Sequence, residues 1–212
     1  AYEEVVQDGQ TRKATGQPMI LHLNHPNFGW GVTAEEIMRV KGQRFFEVYN
    51  GHPSVRDRGD KLHASTERMW DIILTRRLAE LNLGILYGLA TDDAHNYHGI
   101  NPNRSNAGRG WVMVRAEKLE ANTLVTALEA GNFYASTGVT LNEVKRSAEM
   151  LSLTIAAEPG VEYTTQFIGT RKGYDNAHKP YTVDSGAKLR VTHQYSDDIG
   201  TVLATVKGKR AV

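Results

Sequence analysis

Short apolar runs alternate with helical patterns over residues 1–139, and the pattern changes after Val139. Met19-Ile20-Leu21-His22-Leu23-Asn24 reads as a buried strand. Thr33-Ala34-Glu35-Glu36 is a capping box, opening a helix that is expected to run to about Gly42. Phe45-Phe46-Glu47-Val48-Tyr49 predicts a second strand. Ser65 can cap the next helix, where Trp70, Ile73, Leu74, Leu78 and Leu81 recur at helical spacing. Residues 85–90 and 111–114 predict two further strands, and a short helix around Leu124–Leu128 should stop at Gly131. Strands alternating with helices imply parallel βα units.

After Val139 the segments 151–155, 163–168, 188–193 and 201–206 read as strands. Several alternate apolar with polar, and Gly, Asp, Asn and Pro separate them. This predicts a small antiparallel β module over 141–212 behind an α/β portion over 1–140. The module should form its own core from Leu151, Leu153, Ile155, Phe167, Ile168, Leu189, Val191 and Leu203.

Composition narrows the class. Of 212 residues, 40% are hydrophobic and 23% charged, which suits a folded globular chain. The net charge of +1 gives no basic excess for a nucleic acid, so no nucleic-acid partner is expected. No apolar run is long enough for a membrane span. The chain has no cysteine, which excludes disulfides and thiol chemistry and leaves the compartment open. Residues 1–6 read as the middle of a helix and the C-terminus as the start of a further strand; both ends are expected to be cut from a longer protein.

The polar chemistry falls where strands end. Asn24-His25-Pro26-Asn27, Glu47-Val48-Tyr49-Asn50-Gly51-His52-Pro53 and Thr91-Asp92-Asp93-Ala94-His95 each lie at or beyond the end of an expected parallel strand. Ligands bind at that edge in α/β sheets. Imidazole and carboxylate together suit a divalent Zn, Mn or Fe ion. Asp93 and His95, two apart, would share one side in extended backbone, with Asp92 pointing away. Pro26 should hold His25 extended. Glu47 interrupts an apolar strand, and a buried carboxylate requires a metal, an Arg or N–H partners. Arg109 could clamp a phosphate by bidentate hydrogen bonds, and His52, His63 and His98 could line the same pocket.

The order His25-Pro26, Glu47-Val48-Tyr49-Asn50 and Asp93-Ala94-His95 resembles the later motifs of the PHP (polymerase and histidinol phosphatase) family. So does Gly110-Trp111-Val112-Met113-Val114 followed by Ala127–Gly138. The likeness covers roughly residues 17–140 and is to the metal-dependent phosphoesterase branch. It implies a distorted (β/α)7 TIM-like barrel, here partial, with metals at the strand ends, and hydrolysis of a small phosphorylated substrate. It assigns His25, Asp93 and His95 to metal, and Glu47 and Asn50 to the pocket. The His-x-His motif that opens the family is missing before Gln17, so an incomplete metal site is expected. Open strand edges predict self-association. Two other readings are a non-catalytic binding or assembly protein and an amidohydrolase-like enzyme acting on C–N bonds.

Overall fold

The computed structural model describes Thr11 and residues 14–212; the helix expected over residues 1–6 lies outside them. Strands β1 (His22–Leu23), β2 (Phe45–Asn50) and β3 (Tyr87–Thr91) form one parallel sheet in the order β1-β2-β3. Helix α1 (Ala34–Met38) joins the first pair and α2 (Thr66–Ala79) the second. The capping box at Thr33 forms as the sequence requires: its hydroxyl accepts from Glu36 N–H, and Glu36 accepts from Thr33 N–H.

The barrel is not formed. Among the described residues no sheet closes, and the parallel part stops at three strands. Strand β4 (Trp111–Val114) pairs antiparallel with β5 (Phe133–Ser136). Helix α3 (Ala121–Glu129) lies between them, which in the sequence looks like a crossover. Arg115 N–H instead donates to Asn132 C=O at 2.8 Å, closing the connection at its base. The unit is therefore a hairpin carrying a helix in its loop. Gly131, at φ +69°, makes the return beneath Tyr87, where a Cβ would meet the phenol oxygen at 2.5 Å.

Both earlier helices depart from the pattern because of one arginine. Arg77 is 2% exposed and donates to the carbonyls of Met38, Val40, Gln43 and Gly84. By taking the Met38 and Val40 carbonyls it ends α1 four residues short of Gly42. It also turns α2, whose buried face is Thr66, Met69, Ile72, Ile73 and Arg77, while Leu78 is 55% exposed. Phe46, Ile37, Met38 and Leu86 complete this core.

From Leu141 onward the chain has strands and no helix: β6 (Leu141–Arg146), β7 (Leu151–Ile155), β8 (Thr164–Gly169), β9 (His178–Lys179), β10 (Gln194–Tyr195), β11 (Thr201–Lys207) and β12 (Arg210–Ala211). They make three small antiparallel sheets, β12-β7-β6, β11-β8 and β10-β9. The expected separate core is not built. Only Ile155 and Val191 of its eight residues are buried, and Leu151, Ile168 and Leu203 are exposed. A bulge between Val202 and Ala204 puts Leu203 out of register, over Gly169. Residues 188–193 form no strand; they run back across α1 and α2. Ala34 N–H donates to Thr192 Oγ1, Arg190 pairs with Glu36, and Arg68 donates to the carbonyls of Tyr195, Ser196 and Ile199. Ile199, 1% exposed, belongs to the helix core.

Candidate functional site

Parallel pairing brings the carboxyl ends of β1, β2 and β3 to one edge. Glu47, on β2, is 4% exposed and fully engaged. Its Oε2 accepts from His25 N–H at 2.6 Å and Asn50 Nδ2 at 2.9 Å; its Oε1 accepts from Thr91 Oγ1 at 3.0 Å. Three donors thus meet the cost of burying the carboxylate, and they tie all three strand ends together.

Asn50 is the hub. Its Nδ2 also reaches Asp93 Oδ2 at 3.3 Å, its Oδ1 accepts from His52 N–H at 2.8 Å, and its own N–H donates to Asp57 Oδ2 at 2.8 Å. Gly51 beside it admits no side chain, because a Cβ would stand 2.6 Å from Arg109 Cβ.

Asp93 and His95 form the exposed lip. Asp93 is not extended: its φ is +47°, and the turn folds the His95 ring onto Asp93's own carbonyl. His95 Nδ1 lies 2.7 Å from that oxygen. A carbonyl only accepts, so in the neutral ring Nδ1 carries the proton and Nε2 the lone pair. Metal-ligating histidines have this arrangement. Asp93 Oδ1 is 3.7 Å from His95 Nδ1. The His52 ring stands edge-on to His95, with centroids 5.3 Å apart, and is in the opposite tautomer. Its Nδ1 accepts from Ser54 N–H at 3.1 Å, so the neutral ring carries its proton on Nε2.

The remaining expected residues stand differently. His25 adopts φ +25° rather than the extended form, its N–H drawn to Glu47 and its C=O accepting from Phe28 N–H. Its ring packs edge-on against Phe28. Arg109 donates to the carbonyls of Gly51, Asn101 and Pro102, spending three of its five N–H groups on holding loop 92–110 against β2. Asp92 staples the same loop by accepting from Ala94 and Gly108 N–H. His63 lies away from the cluster, stacked on Trp30 and paired with Asp60. Among the described residues no group of three or more His, Asp or Glu is placed to hold a metal ion.

Asp57 escaped the sequence reading, since Arg56-Asp57-Arg58 looks like a solvated charged turn. It lies behind Asn50 with Oδ1 buried and without a partner. Burial, then the neighbouring Glu47 and Glu67 carboxylates, push it up to about 6 against the pull of the Asn50 N–H.

No protein-family model, curated protein or solved structure matches this chain.

Proposed function

We propose that this chain supplies part of a metal-dependent phosphoesterase site of the PHP kind, without the barrel. The observation that carries the reading is the pairing of Asp93 with a His95 whose Nε2 lone pair is free for a cation. These two residues fit one side of a divalent-metal site for Mn, Zn or Fe. A bound ion of this type lowers the pKa of its water and polarises a phosphoryl oxygen. The chain's own groups do the rest. Asn50 holds the Asp93 carboxylate, and Glu47 holds Asn50. His52 offers its Nε2–H to a phosphate oxygen. Arg109 is a positioning residue for the loop that carries Asp93 and His95.

A second reading is favoured by the missing third ligand. In it the strand-end cluster is a hydrogen-bond network in a non-catalytic binding protein. Hydrolysis of p-nitrophenyl phosphate with Mn or Zn separates the two. The phosphoesterase reading predicts metal-dependent turnover that falls roughly 100-fold in His95→Ala and Asp93→Ala. Absence of turnover with either metal, or turnover indifferent to His95→Ala, rejects it in favour of the second.

A further inference from the structure

Residues 96–106 run out from His95 as a closed loop. His95 N–H donates to Ser105 C=O at 3.0 Å and Asn96 N–H donates to the same oxygen at 2.9 Å, pinning the two ends of the loop together beside the Asp93–His95 lip. Asn106, 8% exposed, fills the centre. Its Nδ2 donates to the carbonyls of Asn96 and Gly99, and its Oδ1 accepts from Asn101 N–H at 2.8 Å. Arg109 holds the Asn101 and Pro102 carbonyls from the other side. The loop is thus ordered by its own polar groups and needs no apolar core.

Two large apolar side chains nevertheless stand out from it: Tyr97 is 74% exposed and Ile100 is 97% exposed. Single exposed apolar residues are ordinary. Tyr97 differs in being both exposed and held. Its phenol donates at 2.7 Å to the carbonyl of Ala94, the residue between Asp93 and His95. Anchored at Cα and at the hydroxyl, the ring lies alongside the Asp93-Ala94-His95 turn with most of its surface open to solvent. A ring fixed before a ligand arrives loses little rotamer freedom when something stacks on it.

We infer that Tyr97 is a specificity-determining residue of the strand-end site, a platform on which the planar ring of an aryl phosphate monoester stacks. This role rests on the phosphoesterase reading and names its substrate class. With the phosphate held beside Asp93 and His95, a ring joined to it through one ester oxygen comes within reach of a side chain tied to Ala94. An aliphatic ester makes the same polar contacts and gains no stacking.

The test titrates phenylphosphonate and methylphosphonate into the whole chain with Mn present, read by calorimetry. Both carry the phosphonate head on a C–P bond that a phosphoesterase does not cleave, so binding is read without turnover. Phenylphosphonate should bind about fivefold tighter. Tyr97→Ala should abolish that preference by weakening phenylphosphonate alone, and Tyr97→Phe, which keeps the ring, should retain most of it. Equal affinity for the two analogues in the wild-type chain overturns the platform, and so does failure of both to bind. A preference that survives Tyr97→Ala, or a loss shared equally by both analogues, overturns it as well. The phosphoesterase reading is judged separately, by Mn-dependent turnover of p-nitrophenyl phosphate and its loss in His95→Ala.

Discussion

At Glu47 one side chain decides whether three strand ends stay together. Glu47→Ala would strand the His25 N–H, the Asn50 amide and the Thr91 hydroxyl at a site that is 4% exposed. Unsatisfied buried donors cost about 1–3 kcal/mol each and partly relax, so a loss of roughly 3 kcal/mol is expected in denaturant unfolding. Asp57 gives a signed pH effect. Its folded pKa of about 6 lies above the ordinary 3.8, so ionising it costs stability. The penalty is absent below about pH 4, grows between the two values, and is full above pH 6. Asp57→Asn keeps an acceptor for the Asn50 N–H. It should raise stability at pH 7–8 by on the order of 1 kcal/mol, since partial exposure screens the effect. The gain should vanish near pH 4, as melting temperatures across that range would show. Glu47, Asn50, Asp93 and His95 were legible in the sequence because each sits in a short motif at the end of an apolar run. Asp57 was not, because its burial is imposed by a loop folding over Asn50.

Among the elements, Arg77 has the largest share in departures from pattern. Its periodic position on α2 is that of a core residue, yet a charged type reads as a solvent-facing one. Its four carbonyl partners explain the burial. Arg77→Leu should cost about 3 kcal/mol, measured by urea unfolding, because those carbonyls lose their donor. Ser65→Ala should cost only about 1 kcal/mol, the loss of one helix cap to Arg68 N–H. Strand and helix positions through α3 were readable from periodicity, whereas the strand β5 was not. Nor was the pairing: the sequence of β4, α3 and β5 fits a parallel crossover as well as a helix-bearing hairpin. The Arg115–Asn132 hydrogen bond that selects the hairpin has no signature in either residue.

Over the whole molecule, the texture change at Val139 was a sound guide to strand content but not to packing. The segment around residues 190–199 crosses back to cover α1 and α2, with Ile199 in their core. Polar contacts such as Thr192 to Ala34 N–H cannot be anticipated from alternation. Helix, sheet edge and returning segment together hold the strand ends, where the proposed phosphoesterase requires Asp93 and His95 to bind a cation. Anomalous diffraction from crystals soaked in Mn and inorganic phosphate checks this requirement. The expected result is a Mn peak in bonding contact with His95 Nε2 and an Asp93 oxygen, with phosphate beside it and within reach of His52. Well-ordered Asp93 and His95 with no Mn peak between them would contradict it.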